Sequence, residues 1–302
     1  MVIDALIQKI KEKKSPCVVG IDPEWSKLPD CYKNTGLTKP EALLQWATDV
    51  IDSVAEIVPA VKPQMAFFEV FGAEGIAVHE KVVRYAHEKG LIVVDDSKRN
   101  DIGNTAKAYA FAHLAKDGPI NSDFLTVSPF LGTDSLQPFI DTAKAEGKGL
   151  FVLVKTSNPS SVEISEAVTA SGEKVRDWLA GYVNTIGEEC VGVEGYSAIG
   201  AVVGATYPGE AEDLRKIMKN NFFLVPGYGA QGGGAADVAS SFNEDGLGAL
   251  VNSSRGILYH HVNVPGFEGS REQYCAIVKA QAEAMQKAIY SELKKHYPEM
   301  VY

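Results

Sequence analysis

Cysteine is scarce in this sequence, and histidine forms no metal-binding pattern. The four cysteines among 302 residues, Cys17, Cys31, Cys190 and Cys275, are scattered and form no CxxC pair. This excludes a disulfide-rich scaffold, and free thiols in a reducing compartment are the expected state. The six histidines include no HxH or HExxH pattern, so we expect no metal site.

Long apolar runs and an excess of basic charge are also absent. No stretch approaches the ~18 apolar residues that span a bilayer, and residues 1–16 form an amphipathic helix pattern without the apolar centre of a signal peptide. Lys and Arg total 29 against 39 Asp and Glu, a formal net charge of -10. Since an acidic surface repels phosphate backbones and anionic lipid, we expect no nucleic acid and no membrane among the partners. The expected location is cytoplasmic.

The sequence is rich in short β-branched runs that alternate with longer amphipathic segments. Two runs, GLIVVDD at 90–96 and GLFVLVK at 149–155, are almost wholly apolar, as strands buried on both faces require. The predicted strands are Cys17–Ile21, Ala60–Lys62, Leu91–Asp95, Phe124–Val127, Gly149–Val154, Ile199–Val203, Phe222–Val225 and Ala249–Val251.

Helical patterns separate these strands. They cover Pro40–Val58, Glu74–Lys89, Ser135–Glu146, Lys174–Ile186, Glu210–Lys219 and Ala235–Phe242, and a long last helix covers about Arg271 to His296. No linker or change of composition divides the chain. The pattern therefore predicts an α/β fold, a single (β/α)8 TIM barrel over residues 1–302 with an added helix at each end.

Ionisable side chains collect where the predicted strands end, which is where a parallel barrel places its active site. Asp22 and Lys62 each precede a proline at a strand end, and either alone would be an ordinary turn residue. In the segment DSKRND, Asp96 and Lys98 are two residues apart and share a face, whereas Asp95 faces the other way. Alternating lysines and aspartates hold one another ionised, so this set predicts a charged catalytic array.

Two later segments indicate a phosphate site. The segment PGYGAQGGG at 226–234 follows the seventh strand, and Arg255 follows the eighth. Glycine lets backbone N–H groups approach an anion, and arginine offers a fork of donors that suits phosphate. The glycines alone would fit a flexible turn. The long stretch Thr156–Gly172 reads as a loop that covers a ligand.

These segments together resemble the orotidine 5'-phosphate decarboxylase family. Its DxKxxD motif stands here as Asp96, Lys98 and Asp101, and GIDP, VKPQ, PGYGAQGG and SSRG match in order and spacing. The resemblance runs from about Cys17 to Tyr259, and the chain is similar to the longer bacterial subgroup of the family. Two departures stand out: Ser254 occupies a position where many members have glycine, and the loops around Pro23–Pro40 and Thr156–Gly172 are long.

The resemblance implies a carboxy-lyase that removes CO₂ from C6 of orotidine 5'-monophosphate, giving uridine 5'-monophosphate without metal or organic cofactor. It implies that Lys98 stabilises the carbanion and delivers the proton, that Asp96 lies near the departing carboxylate, and that Lys62 and Asp101 complete the array. The implied substrate-binding residues are Asp22 and Thr105 (ribose), Ser157 (pyrimidine), Gln231 and Arg255 (phosphate), and Pro226. A homodimer is also implied, in which Asp101 and Thr105 enter the neighbouring subunit's site.

Three alternatives stay open at this point. Mg²⁺-dependent decarboxylases and aldolases of sugar phosphates share the barrel and the motif, but they would need further carboxylate ligands; resistance to a chelator separates them. A Schiff-base aldolase would use Lys155, at the end of the fifth strand, and borohydride trapping would reveal it. A non-catalytic phosphate-binding barrel would bind its ligand without turnover, although such a protein should tolerate loss of the charged array.

Overall fold

Eight parallel strands close into a barrel in the computed structural model, which describes residues 1–205, 208–229 and 232–302. The strands are β1 Cys17–Ile21, β2 Ala60–Pro63, β3 Ile92–Arg99, β4 Phe124–Val127, β5 Gly149–Lys155, β6 Ser197–Val203, β7 Asn221–Val225 and β8 Ala249–Ser253. Each strand pairs with the next in the chain, and β8 closes the barrel on β1. The predicted TIM barrel is confirmed.

Helices connect the strands on the outside of the barrel. They are α1 Val2–Lys13, α2 Asp30–Lys33, α3 Lys39–Val54, α4 Ala66–Glu69, α5 Gly72–Glu88, α6 Gly103–Leu114, α7 Thr133–Glu146, α8 Val162–Ser165, α9 Val175–Gly187, α10 Pro208–Ile217, α11 Ala235–Ala239, α12 Arg255–Leu258 and α13 Arg271–His296. Short 3₁₀ turns lie at Trp25–Lys27, Pro159–Ser161, Glu188–Cys190 and His260–Asn263. None of the described helices is long and apolar enough to cross a membrane.

The strand sequences explain their burial. Every residue of β1, β6 and β7 is buried, because the barrel interior covers one face and the helix layer covers the other. The terminal helices pack onto the same body: α13 contacts β1 and α3, and Gln286 Nε2 on α13 donates to the Lys13 carbonyl at 2.8 Å.

Three elements differ from the sequence prediction. Strand β3 runs four residues beyond Asp95, and its register with β4 shifts between Asp95 and Arg99. Helix α6 was not among the predicted helices, because its apolar residues lie around most of its circumference and give no amphipathic pattern. The connection Thr156–Gly172 is not structureless, since it contains α8 and a 3₁₀ turn.

Candidate active site

A cavity of about 460 Å³ opens at the carboxyl ends of the barrel strands. Seven of the ten predicted site residues line it: Asp22, Lys62, Asp96, Lys98, Ser157, Pro226 and Arg255. Asp101 and Thr105 are not part of its lining. Gln231 lies outside the described residues. The barrel thus brings together side chains from β1, β2, β3, β5, β7 and β8, because parallel strands all end at one rim.

Asp96 is the centre of the charged array. Its Oδ2 accepts from Lys62 Nζ at 2.6 Å and from Gln64 Nε2 at 3.0 Å. Its Oδ1 accepts from Lys98 Nζ at 2.5 Å and from Thr126 Oγ1 at 3.1 Å. Four donors therefore occupy the acceptor positions that a carboxylate offers.

The array keeps its charges in spite of burial. Burial by itself raises the pKa of Asp96, but the two neighbouring lysine ammonium groups outweigh it and lower that pKa to about 2. Burial likewise opposes the charge on Lys62, yet Asp96 and Asp22 hold the pKa of Lys62 above its ordinary value. The two charged forms support each other, in the way the alternation of Lys and Asp predicted.

Asp22 differs from Asp96 both in its contacts and in the direction in which its pKa is shifted. Burial raises the pKa of Asp22, although Lys62 and Ser254 act in the opposite direction. Its Oδ1 is buried and has no hydrogen-bond partner in the structure. Asp22 also belongs to the lining of the cavity.

Lys98 stands in a strained backbone conformation. Its φ is +46°, in the left-handed region that costs a non-glycine residue about 1–2 kcal/mol. The shift of register between β3 and β4 falls at this point. Strand alternation predicted that Asp96 and Lys98 would meet, and they do, but through this distortion and not through a regular pleat.

Asp95 faces away from the cavity. It is fully buried, His113 Nδ1 lies 2.6 Å from its Oδ2, and His79 Nε2 lies 3.4 Å from its Oδ1. Ser97 Oγ also donates to Asp95. Asp95 therefore anchors the outer side of β3 between α5 and α6.

The start of α6 lies away from this chain's own cavity. Asp101 precedes the helix and its Oδ1 accepts from the Ile102 N–H at 2.8 Å, and Thr105 is exposed on the first turn. Large apolar side chains are also exposed on α6 and before α7, which packs on it, with Ile102 at 57%, Phe111 at 52% and Phe130 at 78%. This surface combines two predicted site residues with apolar side chains that the chain itself leaves uncovered.

The glycine-rich loop satisfies many of its own N–H groups. Gly229 and Gly233 bond across the loop, with the Gly229 N–H 2.8 Å from the Gly233 carbonyl, and Gly232 donates to Gly229. Gly234 donates to Asp237 Oδ2 at 2.7 Å. Binding of an anion to these particular N–H groups would require the loop to open its internal bonds. The sequence prediction did not include this competition.

Lys155 lies in a buried ion network and does not line the cavity. It is 1% exposed, and its Nζ lies 3.2 Å from Glu210 Oε2 and 3.7 Å from Glu166 Oε1. Arg176 pairs with the same two glutamates at 3.0 and 2.8 Å. The geometry gives no support to a Schiff base at Lys155.

Several cavity residues carry no role in the sequence prediction, and three polar ones among them are Gln64, Thr126 and Asn252. Gln64 stands inside the VKPQ segment, which the sequence analysis had singled out. Thr126 lies within a predicted strand with no other signal, and Asn252 directly follows the predicted strand Ala249–Val251. The buried Asn252 Oδ1 has no hydrogen-bond partner. Across the described ranges no group of three or more His, Cys, Asp or Glu side chains is placed to hold a metal ion.

Comparison with known proteins agrees with this geometry. Residues 15–264 match the model of the orotidine 5'-phosphate decarboxylase / HUMPS family. The chain is 44% identical over 252 residues to orotidine 5'-phosphate decarboxylase of Rhodopirellula baltica, covering 80% of this chain and 83% of that protein. It is 40% identical over 276 residues to the enzyme of the same name from Clostridium botulinum strain Langeland, covering 91% and 95%.

Solved structures extend the likeness to three dimensions. The structure of Leishmania donovani OMP decarboxylase superposes with a TM-score of 0.69 at 31% identity, covering 93% of this chain and 98% of that one. A Streptomyces avermitilis structure provisionally assigned the same activity gives a TM-score of 0.79 at 37% identity, covering 96% and 95%. The chain belongs to the orotidine 5'-phosphate decarboxylase / HUMPS family.

Proposed function

We propose that the cavity at the barrel rim is the place where this chain, a decarboxylase of UMP biosynthesis, converts orotidine 5'-monophosphate to uridine 5'-monophosphate and CO₂. The observation that carries the assignment of the site is the Lys62–Asp96–Lys98 array inside the cavity. It is a fixed row of charges of alternating sign, and fixed charges are what the reaction needs.

The chemistry sets the task of each charge. When the bond between C6 and the carboxylate breaks, its electron pair stays on C6, where the ring delocalises it poorly. The Lys98 ammonium stabilises that charge and transfers a proton to C6, so that one proton is consumed for each CO₂ released. Asp96 lies beside the departing carboxylate and holds both lysines in place through its two oxygens. Charge placed in advance costs no reorganisation during the reaction.

Groups remote from C6 bind the rest of the substrate. Arg255 and the glycine-rich loop, including Gln231, take the phosphate, and Pro226 borders the same end of the cavity. Asp22 accepts from a ribose hydroxyl, which is supported by its place in the cavity lining. Ser157 meets the edge of the pyrimidine. Binding energy from these remote contacts helps to organise the reacting centre.

The working unit is a homodimer with shared sites. Asp101 and Thr105 sit beside exposed Ile102 and Phe111, on a surface that a second copy of the chain would cover. In a two-fold dimer this surface packs on itself, and Asp101 of each subunit reaches the cavity of the other. Residues 1–302 form one barrel domain per subunit. The four free thiols suit the cytoplasm as its compartment.

The first test is turnover by metal-stripped protein in the presence of a chelator, followed through the change in absorbance as orotidine 5'-monophosphate is consumed. Turnover at an undiminished rate is expected, since the array supplies the charge. Activity that appears only after Mg²⁺ is restored would move the assignment to the metal-dependent sugar-phosphate class. Tight binding without turnover would indicate a non-catalytic barrel.

Replacement of the proton donor tests the role of Lys98. Lys98→Ala is expected to lower kcat by about 1,000-fold or more, because both the charge beside C6 and the proton are lost. Binding of uridine 5'-monophosphate should stay measurable, since phosphate and ribose contacts remain. The matched control is Lys287→Ala on the exposed face of α13, where the side chain is 75% exposed. Equal kcat values for the two variants would remove Lys98 from this role.

A further inference from the structure

The Thr126 hydroxyl lies between the Asp96 carboxylate and the backbone N–H of Lys98. On β4 it is 1% exposed, and it faces Asp96 Oδ1 at 3.1 Å. The same oxygen accepts from the backbone N–H of Lys98 at 3.0 Å. A longer contact of 3.4 Å joins it to the carbonyl of Asp95. One hydroxyl thus donates to the carboxylate and accepts from the peptide that carries the lysine.

The position of this hydroxyl coincides with the distortion of β3. Asp95 pairs with Leu125 and Arg99 pairs with Val127, so several residues of β3 stand opposite Thr126 alone. Lys98, with φ of +46°, lies within this bulge. A left-handed non-glycine residue persists only where its surroundings fix it. The bond from the Lys98 N–H to Thr126 is one such constraint.

Charge attraction by itself does not fix the geometry of the array. The Lys98 side chain is 45% exposed and flexible, so its ammonium group can follow Asp96 through a range of positions. Thr126 is rigid by comparison, because it is buried and β-branched. Its hydroxyl sets where the carboxylate stands and where the Lys98 side chain begins.

We propose that Thr126 is a positioning residue for the decarboxylation, holding the Asp96 carboxylate and the Lys98 backbone in register through one hydroxyl. This rests on the proposed function. The hydroxyl is committed to protein groups, so it contributes to the rate of the chemical step and little to substrate affinity.

The test compares Thr126→Val, which keeps the shape and loses the hydroxyl, with Thr126→Ser, which keeps the hydroxyl. For Thr126→Val we expect kcat to fall on the order of 10- to 100-fold, with KM within about threefold of the unsubstituted value. Thr126→Ser should stay within about fivefold in kcat. Titration with uridine 5'-monophosphate counts the folded sites, so that partial unfolding is not mistaken for slow chemistry.

A matched control makes the same substitution away from the cavity. Thr48→Val on α3 removes a hydroxyl that donates to the Gln45 carbonyl at 2.9 Å, and kcat should be unchanged. If Thr126→Val does not fold, Thr126→Ala against Thr126→Ser isolates the hydroxyl, and the alanine variant should be the slower by about tenfold or more.

The experiment distinguishes failure of the proposed function from failure of the proposed role of Thr126. Absence of turnover by the unsubstituted protein would overturn the proposed function, and the inference with it. An active unsubstituted protein whose Thr126→Val variant has equal kcat would overturn the inference alone. A rise in KM without a fall in kcat would make Thr126 a binding residue and would also overturn it.

Discussion

Asp95 and Asp96 are adjacent in the chain, yet their surroundings assign them to different tasks. Asp96 faces the cavity between Lys62 and Lys98, whereas Asp95 faces the helix layer between His79 and His113. Burial alone would raise the pKa of Asp95, but the two histidines hold it below its ordinary value. The ionised form of Asp95 therefore stabilises the folded state, and this contribution belongs to packing rather than to chemistry.

Asp95→Asn is expected to lower the free energy of unfolding by about 2 kcal/mol at pH 7, because a buried charged acceptor is lost. The native contribution is present above the ordinary pKa of about 4 and is lost as the pH falls through the lowered folded value. The difference between variant and unsubstituted protein should therefore shrink between pH 7 and pH 3 in denaturant titrations. A difference that grows towards acid pH would contradict this.

The control for that measurement is Asp52→Asn. Asp52 pairs with Lys89 at 2.7 Å on the surface and is 46% exposed. Exposed pairs contribute little, so a change of no more than about 0.5 kcal/mol is expected, with no comparable trend with pH.

At the scale of elements, the ion network of Lys155, Arg176, Glu166 and Glu210 holds the loop after β5 in place. Lys155 at the end of β5 and Arg176 on α9 share Glu166 and Glu210, so the network joins the segment after β5 to the start of α10. Two residues beyond Lys155, Ser157 lines the cavity. Gly204 lets this segment approach closely, since a Cβ there would stand 2.9 Å from the Ser157 backbone.

Lys155→Met tests the network. Arg176 stays paired with Glu166 and Glu210 when Lys155 is removed, and both carboxylates are partly exposed. We therefore expect a loss of about 1–2 kcal/mol in unfolding free energy, from the contacts of the Lys155 ammonium group alone. Since Ser157 is displaced, KM for orotidine 5'-monophosphate should rise on the order of tenfold, while kcat at saturation changes by less than about threefold.

The matched control, Lys144→Met, removes an exposed lysine that pairs with Glu189 on the surface. Its KM and its unfolding free energy should stay near the unsubstituted values. An unchanged KM in folded Lys155→Met would show that the network does not position the loop.

For the whole molecule, the barrel brings seven of the predicted site residues into one cavity and leaves two of them outside it. Closure places Lys62, Asp96 and Lys98 in one cavity, but Asp101 and Thr105 lie beyond its lining. Ile102, the neighbour of Asp101 in the chain, is an exposed apolar side chain that is costly to leave in water. A second copy of the chain would cover the exposed apolar surface, and it could bring Asp101 and Thr105 to the cavity of its partner.

Mixing two inactive variants tests this arrangement. In a heterodimer of Asp101→Ala and Lys98→Ala, the cavity with native Lys98 receives native Asp101 from its partner. Random exchange of equal amounts should restore about a quarter of the unsubstituted activity, since half of the dimers carry one intact site of two. No recovery after subunit exchange has been verified would count against shared sites. Two copies of Lys98→Ala alone should stay inactive.

Local sequence patterns were enough to predict the barrel and the charged residues at the ends of its strands. Burial on both faces leaves apolar runs such as residues 149–155, and the spacing of Asp96 and Lys98 predicted that they would meet, although a bulge in β3 is what brings them together. Helix α6 was missed because apolar residues lie around most of its circumference, although its buried residues share one face. Other features depend on the tertiary structure. Thr126 contacts Asp96 although the two lie 30 positions apart in the chain. Lys155 is buried outside the cavity lining, and Asp101 also lies outside that lining. The physical reason is that strand register and barrel closure set contacts between distant residues, and no local pattern of residues encodes them.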